Sequence, residues 1–232
     1  MNISSAIFDC SAADLKSCPD ESLPEFAFIG RSNVGKSSLL NVLAGEPGMA
    51  RVSSRPGFTK LINIFTINKS WRLVDLPGYG FAEGARKDRI HFNDVAANYL
   101  KHRTNLCLVF ALIDSGLPPQ DIDVQFVEWL VRHSVPFVLV FTKIDKVSAA
   151  VMQANVAGFT ERISAWFETA PAVFTCSAET GSGRPELLGL IEEQMTAIRA
   201  ASGPAPAQAE ELSLQRRLQE NRKRRPDLNR PW

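Results

Sequence analysis

Cysteine is scarce, and what there is builds no framework: Cys10, Cys18, Cys107 and Cys176 include no CxxC pair and no regular spacing. A disulfide scaffold or a zinc site is therefore not expected, and a reducing compartment suits the chain. Long apolar runs are missing as well, none approaching the ~20 residues of a membrane-spanning helix. The opening stretch, MNISSAIFDCSAADLKS, has neither a basic start nor an extended apolar segment, which argues against a secretory signal. There are no internal repeats. Net charge is nearly absent at +1, but it is unevenly spread. Between Leu212 and Trp232 seven basic residues stand against two acidic ones, a balance of +5 that leaves −4 on the remainder. The expectation is a cytoplasmic protein, without membrane contact and monomeric, carrying a basic tail.

What is present is an ordinary globular composition, 45% apolar and 22% charged over 232 residues, enough for one well-buried domain and a remainder. Strand-like and helix-like segments alternate. Phe26–Ile29 reads as a strand leading into a glycine loop, and Ser37–Ala44 as the helix behind it. LINIFTI, Leu61–Ile67, alternates as a half-buried strand does, and Trp71–Leu76 follows after a short turn, as in a hairpin. Leu106–Ile113 and Phe137–Phe141 are continuous apolar runs, the mark of strands covered on both faces. Helical spacing runs through Arg86–His102, Gln120–Arg132, Ala149–Phe167 and Pro185–Arg199, with a further strand at Ala172–Cys176. Such alternation predicts an α/β architecture of three layers, a mostly parallel central sheet with helices on both faces. The expected division is an N-terminal extension over 1–24, a folded domain over 25–200, and a flexible basic tail over 201–232.

Chemistry concentrates in three short motifs. GRSNVGKS, spanning Gly30, Arg31, Ser32, Asn33, Val34, Gly35, Lys36 and Ser37, fits G-x-x-x-x-G-K-[ST] between a strand and a helix. Glycines let successive backbone N–H groups turn inward around phosphates, and the helix N-terminus adds partial positive charge. Lys36 would reach the outer phosphates and the Ser37 hydroxyl would coordinate Mg²⁺. In LVDLPGYG, Asp75 closes an apolar strand, where it would hold Mg²⁺ through water, with Leu76, Pro77 and Gly78 following. The Gly78 N–H is free to approach a γ-phosphate. Thr142, Lys143, Ile144 and Asp145 end the second buried strand. The Asp145 carboxylate can accept from both guanine donors, N1–H and the amino group, whereas adenine would leave it unpaired. Cys176, Ser177 and Ala178, at the next strand end, would complete the base pocket. Each motif alone has a bland reading, an Asp-Pro-Gly turn or a solvated strand end; their order along one chain decides for GTP with Mg²⁺. Between the first two motifs lie Gly57, Phe58, Thr59, Lys60 and Leu61. A Thr at position 59 can bind Mg²⁺ by its hydroxyl and sense γ-phosphate by its backbone.

GRSNVGKSSLLN, the Pro-Gly-x-Thr segment, LVDLPGYGFA and TKxD together resemble the EngB (YihA/YsxC) family of bacterial GTPases, over roughly Phe26 to Ile198. The resemblance implies a three-layer phosphate-loop GTPase fold and a cytoplasmic, Mg²⁺-dependent GTP-binding protein. It further implies assistance to maturation of the large ribosomal subunit and a requirement in cell division and septation. Phe58 stands where the family usually has a basic residue, and Thr142 replaces the Asn of the commoner NKxD. Threonine is expected to be too short to bridge base and phosphate loop as Asn does, which predicts micromolar nucleotide affinity, about −8 kcal/mol.

Many small GTPases orient the attacking water with a Gln after D-x-x-G. Here that position is Tyr79, so slow intrinsic hydrolysis is expected, with Lys36, Thr59 and Gly78 as the catalytic set. The missing stabilisation would come from a group on the assembly partner or from K⁺, for which Asn33 is the candidate ligand by likeness to potassium-activated relatives. The Arg-rich tail suits phosphate contacts on ribosomal RNA. Two other classes stay open: a non-hydrolysing nucleotide-gated scaffold at the division site, and a phosphate-loop kinase. TKID and the lack of an Arg-rich lid segment argue against the kinase.

Overall fold

Two apolar runs covered on both faces need neighbours on either side and helices above and below, and the chain supplies them in sequence order. The structure, a computed structural model, describes residues 1–50, 61–80 and 94–202. Its elements are β1 (Ala6–Ala12), β2 (Glu25–Gly30), α1 (Lys36–Ala44), β3 (Ile62–Ile67), β4 (Trp71–Asp75), α2 (Asp94–His102), β5 (Leu106–Asp114), α3 (Asp121–Arg132), β6 (Phe137–Thr142), α4 (Ala149–Ile163), β7 (Val173–Thr175) and α5 (Arg184–Ser202). Among the described residues the strands form one seven-stranded sheet, in the order β1-β3-β4-β2-β5-β6-β7. The β1–β3 and β3–β4 pairs are antiparallel and the rest parallel. The expected three-layer α/β fold is therefore present. The chain divides into two compact units, Met1–Ile191 and Glu192–Trp232, and the sheet belongs to the first.

One face of the sheet offers Ala27, Ile29, Val109, Ala111, Ile113, Leu139 and Phe141 to buried residues of α2, α3 and α4, among them Tyr99, Phe126, Leu130 and Phe159. Strand residues of the opposite parity, such as Phe28 and Phe110, are equally buried. Those two rings stack at 4.4 Å. On that side α1 contacts β2 and β4.

Two expectations shift. LINIFTI is not half-buried, because Phe65 and Ile67 are covered as well as Ile62 and Ile64. The cause is a strand not anticipated from the sequence: β1 pairs with β3, and Phe8 packs edge-on against Phe65 at 5.5 Å. The helix expected over Ala149–Phe167 ends its α-helical course at Ile163 and tightens into a 3₁₀ turn over Ser164–Trp166. Of the segment Arg86–His102, the part from Asp94 is helical and the rest lies outside the described residues.

The end of the sheet opposite the strand carboxyl termini is held by a buried charge cluster. Glu25, the first residue of β2, is fully buried. It accepts from Arg103 at 2.6 and 2.8 Å, from Arg72 at 3.4 Å and from the Tyr99 hydroxyl. Removing one partner of such a set strands a buried charge. Glu25→Ala should cost about 3–5 kcal/mol of unfolding free energy in a urea titration.

Candidate functional site

Strand register brings the three motifs to one edge of the sheet. Phe28 of β2 pairs with Asp75, Gly30 with Leu112 of β5, and Asp114 at the end of β5 with Thr142. The loops after β2, β4 and β6 therefore leave at the same carboxyl edge, where ligands settle in open α/β sheets.

The loop from Arg31 to Gly35 turns tightly into α1. Gly35 sits at φ 100°, a left-handed value that a side chain resists, and Asn33 at φ 65°. The opening N–H groups of α1 have no partner within the helix, and with the helix dipole they face an anion favourably. Gly78 touches the loop closely: a Cβ there would lie 2.7 Å from the Gly30 carbonyl. Lys36 is buried, and its ammonium meets the Asp75 carboxylate. The Asn63 amide donates to the other Asp75 oxygen at 3.4 Å. Ser37 follows Lys36 in the first turn of α1, next to the residue whose ammonium meets Asp75. Hard oxygen donors of this kind suit Mg²⁺, which takes one or two protein ligands and completes its shell with water and phosphate oxygens. Among the described residues no group of three or more His, Cys, Asp or Glu is placed to cage a metal.

The segment after β6 grips the loop from outside. Thr142 Oγ1 donates to the Val34 carbonyl at 2.6 Å. Lys143 Nζ donates to the Asn33 carbonyl at 2.6 Å and to Asp114 Oδ2 at 2.7 Å, and its stem passes over Gly35. On the loop side the Thr142 hydroxyl spans the gap, because β6 runs close to the phosphate loop. Asp145 accepts from the Ser177 hydroxyl at 2.6 Å, and this bond holds its carboxyl below the usual range. Ser177 Oγ in turn accepts the N–H groups of Glu179 and Thr180, each at 3.1 Å. Ile144 N–H donates to the Cys176 carbonyl, and burial pushes the Cys176 thiol up to about 12. Two strand ends are thereby locked around the Asp145 carboxylate.

Several residues depart from their expected surroundings. Arg31 turns its side chain to Asp123 of α3, at 3.1 Å. Leu61 is exposed just before β3. Gly57, Phe58, Thr59 and Lys60 lie outside the described residues. Three contributors were not anticipated from the sequence: Asp114, Asp123 and Arg184. Arg184 donates to the Val42 and Leu43 carbonyls at 2.7 and 3.1 Å, capping the C-terminus of α1 where the dipole favours a cation. No local pattern signals a contact between residues so distant along the chain.

Thr142→Ala removes one buried bond and orphans the Val34 carbonyl. It should weaken GTP and GDP alike by about tenfold in isothermal titration, with Thr142→Ser restoring most of the loss. Asp123 gives a pH-dependent prediction. Burial pushes its carboxyl up to about 6, against the lowering by Arg31 and Tyr79. The folded form thus keeps its proton to higher pH than the unfolded form. The stability this group contributes is complete below the unfolded value and is lost as pH rises through about 6. The stability of the native chain relative to Asp123→Asn should fall by about 2 kcal/mol from about pH 4.5 to about pH 7.5 in urea titrations.

Comparison with known proteins agrees with this geometry. Residues 25–143 match the family described as "50S ribosome-binding GTPase". A probable GTP-binding protein EngB of Bacteroides fragilis is 45% identical over 192 residues, which cover 83% of this chain and 96% of that protein. That of Cytophaga hutchinsonii is 47% identical over 188 residues, 81% of this chain and 94% of its own. Among solved structures, a probable GTP-binding protein engB superposes with a TM-score of 0.55 at 24% identity, covering 75% of this chain and 99% of that one. A variant of Aquifex aeolicus Era bound to GDP·AlF₄⁻ superposes at 0.58 with 20% identity, over 74% of this chain and 56% of that one. With these relatives and this fold, the chain belongs to the EngB family of GTP-binding proteins.

Proposed function

We propose that the chain is a GTP-binding molecular switch that hydrolyses GTP slowly and assists assembly of the large ribosomal subunit. The observation that carries the nucleotide half is the grip of Thr142 and Lys143 on the carbonyls of Val34 and Asn33, which fixes the loop leading into α1. The ribosomal half is supported by the matched family's description as 50S ribosome-binding and by family membership. A requirement in cell division and septation, and a cytoplasmic location, follow the same family reading. The working unit is a GTPase domain over 25–200, to whose sheet the segment 1–24 adds β1, followed by a basic tail over 201–232 that contacts ribosomal RNA.

In this reading Lys36 bears on the outer phosphates, Gly78 presents its N–H to the γ-phosphate, and Asp145 with Ser177 and Ala178 selects guanine. Ser37, Thr59 and, through water, Asp75 hold Mg²⁺, which when bound offsets charge on the phosphates. Tyr79 orients no water: its ring is buried against Phe126 and its hydroxyl is given to Asp123. The group that completes hydrolysis therefore comes from the ribosomal partner or from K⁺ held near Asn33. The same burial of Tyr79 favours one rival, a switch that does not hydrolyse at all, and turnover with and without ribosomal particles separates the two.

The deciding experiment is co-sedimentation of the full chain with ribosomal particles, with a non-hydrolysable GTP analogue and with GDP. The analogue-bound form should travel with the large subunit or its precursor and the GDP form should not; failure to travel in either state removes the assembly role. Asp145→Asn should reduce GTP affinity at least about a hundredfold in parallel titrations, because the amide cannot accept both guanine donors. Exchange of Na⁺ for K⁺ should raise turnover if Asn33 holds the cation.

A further inference from the structure

Tyr79 follows Gly78 directly, yet its side chain leaves the phosphate loop for the core. The ring is 2% exposed and stacks on Phe126 of α3, with centroids 4.3 Å apart at 28°. Its hydroxyl donates to Asp123 Oδ1 at 3.0 Å. Asp123 is 1% exposed and also accepts from Arg31 Nε at 3.1 Å. Arg31 comes one residue after Gly30 and Tyr79 one after Gly78, so a single carboxylate joins the loops that follow β2 and β4. The backbone joins them again: Tyr79 N–H donates to the Gly30 carbonyl at 3.4 Å, and Arg31 and Tyr79 form a parallel bridge.

Core filling does not account for this cluster. Phenylalanine at position 79 would stack on Phe126 equally well, and no acid would then need to be buried. A carboxylate in the interior is costly unless its partners are held in good geometry, and here both are. What the pair of bonds fixes is a position. Adjacent Cα atoms lie about 3.8 Å apart, so anchoring Tyr79 leaves the Gly78 peptide little room to wander. On its other side Gly78 already abuts the Gly30 carbonyl, with no space for a side chain.

We propose that Asp123 is a positioning residue for recognition of the terminal phosphate: by binding Tyr79 and Arg31 to α3, it pins the Gly78 peptide against the phosphate loop. This rests on the GTP-switch reading given above. A diphosphate lacks the group that Gly78 addresses, so its binding draws on the phosphate loop and base pocket and is indifferent to the pin. The inference thus predicts a change in discrimination between two nucleotides rather than a general loss of affinity.

The test is isothermal titration of the full chain with Mg²⁺ present, using GDP and a non-hydrolysable GTP analogue, for the native protein, Tyr79→Phe and Asp123→Asn. Tyr79→Phe keeps the ring and its stacking and removes one hydroxyl; Asp123→Asn keeps the shape and removes the charge. Both should weaken the analogue by about tenfold while GDP stays within about twofold, on the scale of one hydrogen bond to a charged group. A folded variant whose two affinities fall together, or do not change, overturns the positioning role while native binding of both nucleotides leaves the switch reading standing. A native chain that binds neither nucleotide removes the switch reading and this inference together.

Discussion

A phosphate loop turns N–H groups inward, and this leaves some of its carbonyls pointing outward, open to donors from elsewhere in the chain. The carbonyl of the buried Val34 would be costly to leave unmatched, so the loop depends there on a donor from elsewhere in the chain. In this protein the donors are Thr142 and Lys143, which take the carbonyls of Val34 and Asn33. The segment after β6 therefore shapes the loop between β2 and α1.

That dependence explains why the sheet register matters more to the site than any single residue. Asp114, at the end of β5, faces Thr142 across the sheet and accepts from Lys143, so the lysine is oriented before any nucleotide arrives. Arg184 acts at the far end of α1, where it satisfies the last carbonyls of the helix whose first turn faces the phosphates. Helix α1 is thus tied at its start through the contacts of Thr142 and Lys143 on the loop before it, and at its end by Arg184 of α5. The buried cluster of Glu25, Arg72, Arg103 and Tyr99 holds the opposite end of the same strands.

Tyr79 shows how one position can be withdrawn from chemistry and given to structure. Its hydroxyl and ring are engaged by α3, so the residue after D-x-x-G has no side chain to offer a water. The same engagement draws the D-x-x-G segment to the phosphate loop through Arg31 and Asp123. The burial of Tyr79 and the placement of the D-x-x-G segment have one physical origin here.

Much of the fold was legible because its signals are local: continuous apolar runs mark β5 and β6, helical spacing marks α3, and GRSNVGKS announces strand, loop and helix within one short stretch. The candidate residues of the three motifs were legible for the same reason, since each sits at the end of an element that its own neighbours specify. β1 was not, because AIFDCSA becomes a strand only by pairing with β3, far along the chain, and its exposed Ile7 and Phe8 give no clear alternation. The reach of Thr142 depended on the separation of β6 from the loop, a distance no residue type encodes. Asp123 and Arg184 had no signal at all, as an acid in a first helical turn and a basic residue after a glycine are ordinary until another element is packed beside them. The sequence determined the nucleotide chemistry, because that chemistry lives in contiguous motifs; which residues hold those motifs in place was decided by tertiary structure alone, because hydrogen bonds across a sheet depend on register and distance.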